Sequence, residues 1–421
     1  MSESGQEMDS PQIPDELMPD ILLRIANPAD LTRAAAACVA FRRIVTDRSF
    51  LRLYRKLHAR PFLGFLDRRN VFHPAIAPHP SASAARAVAL AADFTFSFLP
   101  APASDWVVRD TRDGRVLLHR PPPEQQDIYY DDEYNLFFPE MVVCDPLHRH
   151  YVVLHAIPAH LAAMVEPPLL TRQYTYCETF LAPPGDGEAS ASASASAAKE
   201  TSFSVFWMAQ CRTKLVVFVF SSSTRQWRAI SSQSWSDLFA DGLLSSTGSS
   251  TLFTCRQYAY GSFYWVADWR ETLLVLDTQR MEFSIAETPL EARGFPAEST
   301  AIVEAGGGRL GILVHPQYAN YLNYTIRQNS CGSWQFEKTI SVDSRYSFMG
   351  STGRNLFLHQ RRRRSLDAGC FSLDIETFQL ERVFLSNSCI PIIHAYNNFP
   401  PSFLSTPTVS NGTGAGGEAE D

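Results

Sequence analysis

The feature that most restricts the fold is a unit that returns five times between residues 114 and 383. Each copy has a Gly turn, an apolar strand, a polar turn and a last strand holding an aromatic. The clearest copies are GSFYWVADWRETLLVLDTQRMEFSIAETP (261–289) and GRNLFLHQRRRRSLDAGCFSLDIETFQLERV (353–383). Weaker copies occupy 114–158, 203–230 and 308–340. A turn residue precedes the last strand in each: Asp145, Ser222, Asp277, Asn329 and Asp374. Asp and Asn in that place can bond their own backbone and fix a hairpin. The aromatics that follow, Tyr151, Trp227, Phe283, Trp334 and Phe378, can pack between neighbouring sheets.

Short strands in period-two alternation, repeated in this way, predict the blades of a β-propeller. Five blades follow from the repeats. A sixth is expected from 93–110 (DFTFSFLPAPASDWVVRD) paired with 390–404 (IPIIHAYNNFPPSFL). Such mixed closure removes open sheet edges. Residues 234–244 (SWSDLFADGLL) are the one stretch of this region expected to form a short helix.

Ahead of the strands the period is helical. Residues 13–57 read as three or four short helices. Pro14 suits a first helical position, and Asp15 and Glu16 suit a positive helix end. Leu17, Ile21 and Ile25 recur every fourth residue, widened by Met18 and Leu22. Asn27-Pro28 ends that helix and caps the next. Leu31, Ala34, Ala35 and Cys38 form a second apolar face, and Val39, Phe41, Ile44 and Val45 a third. Thr46-Asp47 starts a helix with Phe50, Leu51, Leu53, Tyr54 and Leu57.

In its order and residue types this run resembles the F-box. The matching positions are Ile13, Pro14, Glu16, Leu17, Ile21, Ile25, Asp30, Leu31, Ala34, Cys38, Phe41, Arg42 and Arg43. Ile13 replaces the usual Leu and Phe41 the usual Trp. The strand region resembles the F-box-associated, kelch-like β-propellers of plant F-box proteins, at CDPLHRHYVVL, GSFYW…LLVLD and NNFPPSFLSTP. The resemblance implies a non-catalytic, cofactor-free substrate-recognition subunit of an SCF-type (Skp–cullin–F-box) E3 ubiquitin ligase. The F-box would dock a Skp-family adaptor and through it a cullin–RING ligase, and the propeller would bind a target protein. The adaptor contacts it implies are Pro14, Leu17, Ile21, Leu22, Ile25, Leu31 and Phe41, some of which must instead form the core of the helical unit. A scaffold that sequesters partners without ligase activity, and a propeller enzyme with a helical appendage, are the alternatives.

The expected organisation is therefore a multidomain α plus β chain. It has a disordered N-terminus (1–12), an F-box helical bundle (13–60), a linker (61–92), an all-β propeller (93–405) with a disordered insertion (188–200), and a disordered acidic tail (406–421). The linker reading rests on HPAIAPHPSASAARA, which is rich in Pro, Ala and Ser. The insertion is the Ser-Ala alternation EASASASASAAKE.

With 421 residues, 45% of them hydrophobic, the chain can bury a large core. A net charge of −7 disfavours generic nucleic-acid binding. The polar N-terminus lacks a basic region leading into an apolar one, and no run approaches a membrane span, so a nuclear or cytoplasmic location is expected with no membrane partner. Eight scattered cysteines without a CxxC pair read as buried thiols. Only Lys56, Lys199, Lys214 and Lys338 are lysines, which, with abundant Ala and Pro, fits a GC-rich coding sequence.

Three clusters have chemistry to weigh. Cys144, His148, His150 and His155 have the donor types of a zinc site, but alternation puts Cys144 on a strand and His148 and His150 in a turn. Tyr129–Tyr134 is an acidic aromatic run, suited to an exposed loop or a basic partner. Arg361–Arg364 suits a hairpin tip or an import signal. There is no GxSxG, P-loop, HExxH or strand-to-helix GxGxxG, and no catalytic apparatus is expected.

Overall fold

The computed structural model describes residues 14–120, 138–165, 170–171, 174–175, 177–183, 202–211, 213–230, 232–239, 253–267, 271–329, 332–360, 369–385, 393–404 and 408–409. The insertion 188–200, the tail from 411, the Tyr129–Tyr134 run and Arg361–Arg364 all lie outside these residues.

Four short helices come first: α1 (Met18–Leu23), α2 (Pro28–Ala37), α3 (Val39–Val45) and α4 (Arg48–Leu57). Their starts follow the capping residues of the sequence. The Asn27 side chain accepts from Ala29 N at the head of α2, with Pro28 in its first turn. Asp47 accepts from Ser49 N and Phe50 N at the head of α4. A 3-10 turn, Asp15–Leu17, leads into α1.

Next come β1 (Phe62–Asp67), β2 (Phe72–Pro74) and α5 (Ala82–Ala91). The connector expected over 61–92 therefore contains two strands and a helix. β1, of sequence FLGFLD, is buried along its whole length, so it lacks the alternation that marks a half-exposed strand. Its Gly64 has a φ of 153°, and a Cβ there would lie 2.3 Å from His73 O, closer than any side chain allows.

The remaining strands fall into antiparallel sheets in chain order. The first is β3 (Val107–Arg112), β4 (Arg115–Arg120), β5 (Glu140–Asp145) and β6 (His150–Leu154). A helical turn α6 (Ala159–Ala162) and the ribbon β7 (Leu170–Thr171) with β8 (Tyr174–Thr175) follow. The second sheet is β9 (Cys177–Leu181), β10 (Ser204–Gln210), β11 (Lys214–Ser221) and β12 (Gln226–Ala229), with β13 (Gln233–Ser234) beside β11. Trp235–Leu238 then makes a single helical turn, inside the stretch where a short helix is expected. The third is β14 (Phe253–Ala259), β15 (Ser262–Ala267), β16 (Thr272–Asp277) and β17 (Glu282–Glu287). The fourth is β18 (Thr300–Glu304), β19 (Leu310–Val314), β20 (Tyr321–Arg327) and β21 (Trp334–Ser341). The fifth is β22 (Tyr346–Thr352), β23 (Asn355–Gln360), β24 (Gly369–Asp374) and β25 (Leu380–Leu385).

The sixth sheet joins the two ends of the chain. β26 (Ile393–Asn397) pairs with β1, and β1 with β2, in the order β2-β1-β26. The register sets Phe65 opposite Ala395 and Leu66 opposite His394. Closure thus uses residues 393–397 as expected, but the partner is 62–74 and not 93–110. The latter stretch instead contributes Phe94, Phe96, Leu99 and Trp106 to the core, then opens β3.

Separate hydrophobic cores lie between consecutive sheets, which closes the ring. Leu117, Val143, Trp207 and Phe218 join the first sheet to the second. Phe180, Phe206, Phe263 and Trp265 join the second to the third. Val266, Leu273, Ile302 and Ile312 join the third to the fourth, and Val303, Leu313, Leu356 and Leu373 the fourth to the fifth. Phe357, Phe65, Tyr396 and Val116 span the fifth, sixth and first. The fold is a six-bladed β-propeller preceded by short helices.

The turn residues act as the sequence suggests in three blades. Asp145 accepts from Leu147 N and His148 N, Asp277 from Gln279 N and Arg280 N, and Asp374 from Glu376 N and Thr377 N. Four residues after each Asp the chain turns left-handed, at Arg149, Met281 and Phe378. Ser222 and Asn329 bond elsewhere, to Phe203 N and Gly307 O. Trp227 and Phe283 are buried between blades. Tyr151, Trp334 and Phe378 are partly buried there.

Asp145 also fastens residues 408–409 to the first blade. Its fully buried side chain accepts from Thr408 N at 2.7 Å, Thr408 Oγ1 at 2.8 Å and His148 Nδ1 at 2.8 Å. Burial alone would raise its pKa, but the bonds from His148 and Thr408 hold it below the ordinary value of 3.8. A depressed carboxylate stabilises the fold above its unfolded pKa, and that contribution is lost as pH falls through the folded value. Asp145→Asn should cost about 1.5–3 kcal/mol at neutral pH. The gap from wild type should narrow as pH falls below about 3.8, the unfolded value, in urea unfolding.

Candidate functional site

The residues implied as adaptor contacts divide into two sets. Leu22 and Leu31 are buried, with Ile25 and Phe41 packed against them. These form the core of the helical unit together with Val45, Phe50, Leu51 and Tyr54. Pro14 is exposed, Leu17 is 50% exposed and Ile21 41% exposed. Leu17 and Ile21 are four residues apart across the start of α1, so they share a face. Val39 at the start of α3 and Leu53 and Leu57 on α4 are further exposed aliphatics of the unit. Each exposed Leu or Ile that a partner covered would contribute about 1 kcal/mol, roughly half the value of full burial.

Two residues that periodicity did not point to complete the helical core. Phe399 and Phe403 follow β26 and pack under α4. Tyr54 meets the Phe403 ring at 5.7 Å and the Phe399 ring at 6.1 Å between centroids. Its hydroxyl donates to Ala26 O, and burial, with Asp30 nearby, pushes its pKa to about 12. Arg55 donates to Phe403 O at 2.9 Å, and Arg60 pairs with Asp113 at 3.0 Å. The helices are thus seated on the propeller face that carries the first turns of the first, third, fourth and fifth blades. The spacing of Phe399 and Phe403 around Pro400-Pro401 was the available signal.

A cavity of 1060 Å³ lies where the helical unit meets that face. Asn27, His58 and Arg60 line one side, and Tyr260, Glu304 and Arg354 belong to the other. Buried His79, also in its wall, has a pKa pushed down to about 4 and stays neutral.

The centre of the ring is crossed by side chains of the innermost strands. Arg256 of the third blade reaches Glu178 of the second at 2.6 Å and Asp110 of the first at 3.4 Å. Burial disfavours the charge on Arg256, and the two carboxylates more than offset it, holding its pKa above the ordinary value. Asp110 also accepts from Leu181 N, and Glu178 from Trp265 Nε1. Gln257 stitches the third blade to the fourth, donating to Thr300 O and accepting from Ile302 N. Ser351 of the fifth donates to Ile302 O. Every partner in this set belongs to another blade, so the network braces the ring.

Of the four residues with zinc-ligand chemistry, Cys144 is fully buried in the core on β5. His148 faces Asp145, and His150 Nδ1 lies 3.0 Å from Val409 O. Among the described residues no three His, Cys, Asp or Glu side chains gather as a metal site.

These features define a class: a closed six-bladed propeller with a helical unit held to one face. No family model and no curated protein matches the chain. Solved structures with similar folds include the β-propeller domain of the Trilobed protease from Pyrococcus furiosus, at 10% identity and a TM-score of 0.33. That match covers 66% of this chain and 70% of the other. A Nidogen/Laminin complex matches at 12% identity and 0.35, covering 71% and 86%. The fucose-specific lectin from Aleuria aurantia matches at 10% and 0.33, covering 68% and 79%. The strand topology, not these distant likenesses, defines the fold.

Removing the Phe403 ring should loosen the helices and spare the blades. Phe403→Ala should cost about 3–5 kcal/mol, the usual loss for a buried Phe. Hydrogen exchange should show α2 and α4 losing protection while β14–β17 keep theirs.

Proposed function

We propose that this protein is the target-recognition subunit of an SCF-type ubiquitin ligase. The helical unit docks a Skp-family adaptor, the propeller holds a target protein, and the chain itself makes and breaks no covalent bond. Tethering raises the effective concentration of target lysines near the charged E2 enzyme. The observation that carries this reading is the sorting of the F-box-like run. Leu22 and Leu31 are spent on the unit's own core, while Leu17 and Ile21 remain on its surface. An exposed aliphatic pair of this kind suits a helix-against-helix interface. Its place outside the seat on Phe399 and Phe403 leaves it open to a partner.

The test is Leu17→Asp with Ile21→Asp. Both sites are exposed, so thermal unfolding should shift by no more than about 0.5 kcal/mol per site. Affinity purification from cells should lose the adaptor and cullin, whereas the target should remain bound and accumulate. Trp265→Ala is the converse control, because Trp265 is fully buried between the second and third blades. It should damage the propeller and spare the adaptor. If the Asp pair recovers cullin as well as wild type does, or wild type recovers no Skp-family adaptor, the reading is wrong.

A further inference from the structure

Thr408 and Val409 are held to the propeller in the manner of a bound ligand. The strands are joined through backbone ladders, and β26 already closes the ring by pairing with β1. Among the described residues, every hydrogen bond to Thr408 and Val409 comes instead from a side chain of the first blade. Asp145 Oδ2 accepts from Thr408 N at 2.7 Å and from Thr408 Oγ1 at 2.8 Å. Arg115 Nε donates to Thr408 O at 3.0 Å, and His150 Nδ1 donates to Val409 O at 3.0 Å. The Val409 side chain is fully buried in the apolar cluster between the first and second blades, which also holds Leu117, Phe203, Phe220 and Trp227.

The receiving side is pre-built. Asp145 and Arg115 are buried charges, at 0% and 5% exposure. Bonds that do not involve the segment orient both: Leu147 N and His148 N donate to Asp145 Oδ1, and Arg115 Nη2 donates to Ser202 O. The other Asp145 oxygen and the Arg115 Nε–H then read the backbone N–H and C=O of a single residue, which almost any residue offers. The bond from Thr408 Oγ1 adds the requirement for a hydroxyl. The closed apolar hole sets the size of the next side chain, because a larger one would overpack it. The site therefore specifies Thr or Ser followed by Val. Left vacant, it would strip bonds from two buried charges, which is costly. It consequently favours exchange of one segment for another over standing empty. It lies beside the Asp113–Gly114 turn, which also meets Arg60 and Asn398.

We propose that this is a peptide-recognition pocket for a Thr-Val or Ser-Val segment, and that residues 408–409 fill it as an autoinhibitory occupant. A partner protein bearing such a segment binds by displacing them. Asp145 and Arg115 would hold the incoming backbone and hydroxyl, and the hole between the blades its Val. The inference concerns the first two blades alone and stands whether or not the helices dock an adaptor. A tethered occupant competes at an effective concentration on the order of millimolar, so the pocket is closed to weak ligands until its own segment is drawn away.

The probe is a fluorescein-labelled peptide of the chain's own sequence STPTVS (405–410), with binding to the full-length protein followed by anisotropy. Wild type should bind it weakly, because its own segment holds the pocket. Thr408→Ala with Val409→Ala in the protein should raise the affinity for the peptide about tenfold or more. A peptide carrying Thr408→Val or Val409→Asp should lose that gain. Hydrogen exchange on wild type gives a second reading that needs no variant. The Thr408 amide should exchange about tenfold or more faster than those of Val143 and Val217, because the segment leaves while the blades stay folded. Equal affinity of wild type and variant for the peptide, no binding by the folded variant, or indifference to the peptide substitutions would overturn the proposal. A variant whose blades unfold, or a Thr408 amide that exchanges no faster than the two valines, would overturn it as well and make the segment a fixed strap.

Discussion

The pairing of β1 with β26 is the interaction on which the rest of the molecule depends. It joins strands more than three hundred residues apart, with Phe62 opposite Asn397 and Asp67 opposite Ile393. A propeller without such a clasp leaves two blades with unpaired faces, and each core between blades needs both neighbours. Here the first and fifth blades and the closing sheet share one cluster, in which Phe62 and Phe65 meet Phe357 at 4.5 and 4.9 Å. The same C-terminal segment goes on to seat the helices through Phe399 and Phe403 and reaches the first blade at Thr408. Ring closure and the placement of the helical unit are consequently one mechanical event. Gly114 shows how close the packing is, since a Cβ there would sit 2.4 Å from the Asn398 amide nitrogen.

Much of the propeller was legible because three strands of each blade carry an apolar alternation and a turn signal. The repeat unit at 261–289 spans β15, β16 and β17, and that at 353–383 spans β23 and β24 and runs into β25. The innermost strands of the second to fifth blades, β9, β14, β18 and β22, escaped the pattern, and most of β3 was assigned to the closing blade. β3 (VVRDTR) and β14 (FTCRQYA) carry charged and amide side chains because they face the centre of the ring and bond across it. An outward polar residue and a channel residue look alike in one sequence. β1 was missed for the opposite reason, being buried on both faces and lying next to an amphipathic helix.

The helical stripe was legible as a stripe but not as two populations. A period of four places Leu17, Ile21 and Ile25 together, yet their exposures differ because α4 and Phe403 cover only part of that face. No local rule brings Phe399 and Phe403 to Tyr54 over some 350 residues. The same holds for Arg256 and its two carboxylates, which come from three blades. Each of these residues reads alone as a solvated charge, and only the closed ring makes them a buried set.

The position of β26 in the chain has a consequence for biosynthesis. It is the last strand of the propeller to leave the ribosome, and Phe399 and Phe403 emerge after it. Until then α1–α4 have no seat, and β1 and β2 wait as an unpaired hairpin with a long-range partner still to come. Contacts of such sequence separation form late and slowly. A nascent chain therefore carries its helices untethered until β26 and the two rings after it have emerged. Only a chain extended past Phe403 holds them in register with the blades, so release before that point yields molecules whose helices and blades cannot act together.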